Sequence, residues 1–156
     1  MAGTLEARLA ELGLVLPAPA ASAANYVPYV VSGNLVHVSG QIPVLEGEIR
    51  FKGKLGQGGL GVEDGYQAAR LCGINLIAQV RAACEGDLDR VVRVVKLGGF
   101  VACTPDFTDH PKVVNGASDL MAEVFAEKGR HARFAVGAPS LPLDIAVEVD
   151  GLFEIA

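Results

Sequence analysis

The stretch HARFAVGAPSLPLDIAVEVD, residues 131–150, decides how this chain is read. It divides into two strand-like segments, "HARFAVG" and "DIAVEVD", joined by a turn rich in Pro and Ser. Each segment carries a charge near its middle, Arg133 and Glu148, where strands ordinarily place β-branched and aromatic residues. Side chains alternate across a strand. Arg133 therefore shares a face with Ala135, and Phe134 shares the other with Val136. In the second segment Ile145, Val147 and Val149 form one face, and Ala146, Glu148 and Asp150 the opposite one. The greasy faces are expected to meet helices. If the two strands are neighbours, Arg133 and Glu148 project from the same side. A charge covered there is either paired, as in a bridge between subunits, or used as an anion site with an acid/base group beside it.

Working outward, Thr4 to Leu12 has Leu5, Leu9 and Leu12 at helical spacing, with Thr4 as candidate cap. "LPAPAASAA" (16–24) reads as an extended linker. In "YVVSGNLVHVSGQIP" two apolar runs flank Ser32-Gly33-Asn34, a hairpin signal, and the second run spans Leu35 to Ser39. Residues 44–61 are glycine-rich and polar, a flexible loop with one short strand at 49–51. A long helix follows from Val62, striped by Ala69, Gly73, Leu76, Val80 and Ala83, with Glu63 and Asp64 in its first turn and Gly86 ending it. "LDRVVRVVKLGGFVAC" (88–103) is apolar on both sides and reads as a central strand covered on both faces. "TPDFTDHPK" is a turn. Val113, Ala117, Leu120, Met121, Val124 and Phe125 then mark a second amphipathic helix. Two helices against one mixed sheet make an α+β sandwich, whose other face a second copy of the chain would cover.

The bulk numbers agree. The chain has 156 residues, 51% hydrophobic and 20% charged, enough for one domain with a real core. Aromatics are 6% and Trp is absent, so the core is aliphatic. A mean hydropathy of +0.36 points to surface buried by self-association. Net charge of -5 argues against a nucleic-acid binder, which needs a basic footprint. No run approaches the length of a membrane span, and the N-terminus carries Glu6, Arg8 and Glu11 where a signal peptide would be apolar. Three cysteines with no CxxC read as reduced thiols of a cytoplasmic protein, Cys72 and Cys84 as core filler.

Other motifs carry less. Gly56, Gly58 and Gly61 spell GxGxxG, but the segment before them is polar and no acidic strand end follows, so no dinucleotide site is expected. Cys103 and His110 share one loop, which raises nucleophilic catalysis, yet a Cys at a strand end is more often structural. His37 falls within a strand. Asp106, Asp109 and His110 have no recognisable ligand spacing, and no metal is expected.

Pro28-Tyr29, "SGQIP" (39–43), Asn115, Ala132-Arg133, Leu141-Pro142 and Glu148 together resemble the frame of the Rid/YjgF family, the RidA-type enamine/imine deaminases, also labelled endoribonuclease L-PSP-like. The resemblance covers residues 26–156, leaving 1–25 as an N-terminal extension, and the long 44–61 loop is similar to that of a longer subgroup. It implies a chorismate-mutase-like α+β fold with two main helices on one sheet face, and a homotrimer with its sheets inward and its sites in clefts between subunits. In that frame Arg133 grips a substrate carboxylate through its planar fork, and Glu148 helps hold and activate water. Tyr29, the main chain at Ser39 and Gly40, Asn115, and the carbonyl of Ala135 (where many deaminases have Cys) line the pocket.

The implied reaction needs no cofactor: a 2-imino or enamino acid such as 2-aminoacrylate takes up water and releases ammonia, leaving a 2-keto acid. The expected partners are a small 2-imino acid or carboxylate and further copies of the chain, with no nucleic acid and no membrane. A non-catalytic trimer that binds carboxylates or partner proteins, and a ribonuclease or translation inhibitor, are the competing expectations.

Overall fold

The computed structural model describes residues 3–156. In chain order it forms α1 (Thr4–Glu11), β1 (Tyr29–Ser32), β2 (Leu35–Gln41), β3 (Val44–Leu45), β4 (Glu48–Ile49), α2 (Val62–Ala83), β5 (Val91–Ala102), α3 (His110–Phe125), β6 (Ala132–Ala138) and β7 (Val147–Ile155). Five strands make one mixed sheet in the order β1-β2-β7-β5-β6; β5 and β6 run parallel and every other pair is antiparallel. The fold class is the α+β sandwich read from the sequence.

Local chemistry explains most elements. The β1–β2 hairpin closes on Gly33, whose φ of +61° suits the first central position of a two-residue hairpin turn. The expected stripe of α2 is buried at Ala69, Cys72, Gly73, Leu76, Ile77 and Val80, and all six stripe residues of α3 are buried. Asp64 accepts a hydrogen bond from the Gly61 N–H at 3.1 Å, closing the first turn of α2. The two helices touch at Gly116, where any Cβ would collide with the Tyr66 carbonyl. Both cover the same sheet face through Val36, Val38, Leu97, Val101, Val147, Val149 and Phe153.

Several expectations are corrected. Thr4 does not cap α1: Gly3 is the cap residue, and the Asp89 carboxylate accepts from the Thr4 and Leu5 N–H groups at 2.7 and 2.9 Å. A distant side chain thus replaces a local cap. The 44–61 segment is folded down rather than free. It holds the small β3–β4 hairpin instead of a strand at 49–51, and Phe51 has a φ of +58°. Leu55 is fully buried, its N–H donating to Ala102 O and its carbonyl accepting from Thr104 N, both at 2.9 Å. α3 begins at His110 with Pro111 in its first turn, inside the stretch read as a turn.

The larger correction concerns the strands of the opening stretch. β6 and β7 are not neighbours, because β5 lies between them. Residues paired across strands share a face. Leu97 pairs with Arg133, and Gly99 with Ala135 and Val149, which puts Arg133 and Ala135 on the helix side. Phe100 pairs with both Val136 and Glu148, and Gly98 with Phe134 and Asp150, which puts all of these on the outer side. Arg133 and Glu148 therefore project from opposite faces. The greasy face of β6 is also the outer one, and Phe100 and Val136 stand 39% and 42% exposed there, so within one chain β5 is covered by helices on one face.

Candidate functional site

Arg133 lies on the edge strand beneath α3. That helix presents Pro111, Asn115 and Ser118 at i, i+4 and i+7, one stripe. Arg133 Nη1 donates to Asn115 Oδ1 at 2.9 Å and to Ser118 Oγ at 3.1 Å, and Nη2 donates to the Pro111 carbonyl at 3.4 Å. These bonds engage three of the five N–H donors of the guanidinium. The Nε–H and one Nη2–H remain, and a guanidinium fork of this kind can pair with two carboxylate oxygens. Among the described residues no carboxylate bridges Arg133. Burial lowers its pKa and the charge of Asp119 raises it.

A relay fixes this arrangement. His131 Nδ1 lies 2.6 Å from the Gly129 carbonyl, which can only accept, so Nδ1 carries the proton. With the proton on Nδ1, Nε2 is then an acceptor, and the Ser118 hydroxyl donates a hydrogen bond to it at 2.8 Å. Ser118 Oγ is left to accept from Arg133. His131 and Ser118 were not singled out from the sequence, since neither belongs to a motif; only the helical spacing from Asn115 to Ser118 hinted at a shared face.

Glu148 sits on the outer face near a bulge in β2. Val38 pairs with Gly151 and Gln41 with Val149, so Ser39 and Gly40 together oppose Asp150. The bulge brings Gly40 against the glutamate, where a Cβ would fall 2.5 Å from Oε1. Ser39 secures the bend, its Oγ donating to Val27 O at 2.8 Å and its N–H to Pro28 O at 2.9 Å. From α2, Asn75 Nδ2 donates to the Ile42 and Val44 carbonyls at 2.9 and 3.2 Å, anchoring the end of "SGQIP". Burial, then the neighbouring Asp150 charge, raises the Glu148 pKa; Asp150 is itself raised by burial.

The seven nominated residues thus fall into two groups. Arg133, Asn115 and Ala135 meet at the β6 edge on the helix side. Ser39, Gly40 and Glu148 meet in the β2–β7 region on the outer side. Tyr29 pairs with Val38 and lies at the same end of the hairpin, but on the helix side. Two strand spacings, about 10 Å, a three-residue offset along β5 of about 10 Å, and the thickness of the sheet separate Arg133 from Glu148. Of the remaining candidates, His37 lies exposed on β2. Cys103 Sγ is 3.4 Å from His110 Nε2, and burial, then Asp106, pushes the thiol up. Among the described residues no three His, Cys, Asp or Glu side chains group as metal ligands, and no helix is long and apolar enough to cross a membrane.

Comparison with known proteins places this frame. The chain is 52% identical over 154 residues to Protein TCP17 of Trypanosoma cruzi, covering 98% of this chain and 95% of that protein. It superposes on the crystal structure of Atu1372 from Agrobacterium tumefaciens, a protein of unknown function, with a TM-score of 0.90 and 49% identity, covering 97% of this chain and 92% of that one. A "putative endoribonuclease" from Shewanella oneidensis matches with a TM-score of 0.93 and 40% identity over 98% of this chain and all of its own. The family described as "YjgF/chorismate_mutase-like, putative endoribonuclease" matches residues 6–154, and the chain belongs to that family.

Proposed function

We propose that the protein hydrolyses 2-imino or enamino acids to 2-keto acids and ammonia, in sites built between the subunits of a homotrimer. The observation that carries the reading is the Arg133 guanidinium: a cation held by three protein oxygens and paired with no carboxylate. Charge-assisted hydrogen bonds of this kind contribute about 1.5–3 kcal/mol each. In the reaction Arg133 fixes the carboxylate of the imino acid. Water adds to the carbon of the protonated imine and passes a proton to Glu148. Glu148 returns that proton to the nitrogen of the carbinolamine, the C–N bond breaks to release ammonia, and the hydroxyl group gives up its proton to solvent as the keto group forms. The raised pKa of Glu148 makes its carboxylate the stronger base.

The opposite facing of Arg133 and Glu148 supports a composite site. A three- or four-carbon acid cannot touch both within one chain. Clefts between subunits would bring the Arg133 side of one protomer to the Glu148 side of the next. The deciding experiment measures keto-acid release from a 2-imino acid generated in situ. Wild type is expected to accelerate it, and Arg133→Ala and Glu148→Gln to lose most of the acceleration. A protein that binds carboxylates through Arg133 without accelerating release from any imine is a binder, and the hydrolase reading fails.

A further inference from the structure

The helix-side row of β6 continues past Arg133 to Ala135 and then Gly137, each step roughly 7 Å. Beside Gly137 opens a cavity of about 570 Å³ whose wall includes Cys103, Phe107, His110, Ala138 and Pro139, with Lys54 also lining it. The cavity and the guanidinium border the same first turn of α3: His110 lines the cavity, and the carbonyl of the next residue, Pro111, accepts from Arg133 Nη2. Gly137 lets His110 and Cys103 pack down against the strand, since a Cβ there would lie 2.5 Å from His110 Nε2 and 2.7 Å from Cys103 Sγ. The thiol and the imidazole satisfy one another at 3.4 Å, and Phe107 packs edge-on to the imidazole with centroids 5.4 Å apart. Burial keeps the thiol uncharged at neutral pH. The lining is therefore largely apolar, with the Thr104 hydroxyl buried without a partner and Lys54 as its one cation. A three-carbon acid held at Arg133 would leave this volume to water.

We infer that the cavity receives the side chain of the acid whose carboxylate Arg133 holds, and that the substrates are 2-imino acids with long aliphatic or aromatic side chains. The inference rests on Arg133 as a carboxylate clamp and does not require turnover.

The test therefore uses inert acids. Calorimetric titration with propanoate and 3-phenylpropanoate is expected to show the second binding about tenfold tighter or more, the gain from burying an aromatic side chain. Gly137→Val pushes His110 and Cys103 into the space and is expected to reduce that ratio to about threefold or less. In wild-type protein labelled at its three histidines, the His110 ring resonances are expected to shift with 3-phenylpropanoate and to stay in place with propanoate. This reading needs no variant, so it decides the matter if Gly137→Val does not fold. Equal affinity for the two acids, or unmoved His110 resonances at saturation, overturns the subsite. Discrimination between the acids without imine hydrolysis keeps the subsite and overturns the hydrolase reading. Binding of both acids that is untouched by Arg133→Met removes the clamp, and the subsite with it.

Discussion

At the scale of single residues, the proposed chemistry depends on how Arg133 is held. The relay from the Gly129 carbonyl through His131 and Ser118 leaves the guanidinium one low-energy pose. Replacing Arg133 with Met is expected to weaken carboxylate binding about tenfold to a hundredfold. Ser118→Ala leaves the charge and loosens the pose; its expected cost is about threefold to tenfold, read in the same titration. Glu148 carries the opposite signature. Its pKa is raised in the folded chain, so the folded state binds its proton more tightly than the unfolded state does. The resulting penalty is present above the folded pKa and disappears below the ordinary value of 4.5. Glu148→Gln is therefore expected to raise the melting temperature at pH 7 by a few degrees, with no gain near pH 4, while turnover falls about a hundredfold or more. Equal melting curves at pH 7 would mean that the carboxylate is not strained by its burial.

At the scale of elements, helices were legible in the sequence and strand neighbours were not. The apolar stripes of α2 and α3 record a 3.6-residue period that local sequence carries in full. Alternation in β6 and β7 shows which residues share a face, but not which face meets the helices or which strand lies alongside. The insertion of β5 between them is a long-range pairing. The edge position of β6 reverses the usual rule, because its helix side is Arg133, Ala135 and Gly137 while Phe134 and Val136 look outward. "SGQIP" pointed to the right place without its reason, which is a bulge tied down by Ser39 and Asn75. Likewise α1 is closed by Asp89, a residue far away in sequence. Those two backbone bonds lower the Asp89 pKa below the ordinary 3.8, so their support is present above that value and lost as pH falls through the folded pKa. Asp89→Ala is expected to increase hydrogen exchange across residues 4–11 and leave α2 protected. In the helix pair, Gly116→Ala drives a methyl against the Tyr66 carbonyl and is expected to cost about 1–3 kcal/mol by denaturant unfolding.

At the scale of the whole molecule, the outer sheet face asks for a partner. Phe100 and Val136 are exposed there beside Phe134, which packs edge-on to Phe100 at 5.4 Å, Val30 is exposed at the far edge, and the half-buried Glu148 lies between. A soluble protomer rarely leaves such a face open. Phe134→Asp is expected to shift the protein from trimer to monomer in light scattering and to abolish imine hydrolysis with it. Retained trimers would move the interface elsewhere. Mixing inactive variants shows whether each site joins Arg133 of one chain to Glu148 of another. Arg133→Met and Glu148→Gln chains, unfolded together and refolded as mixed trimers, should recover about a quarter of wild-type activity, because a site needs the intact arginine from one neighbour and the intact glutamate from the other. Mixed trimers that form and stay inactive would contradict the account.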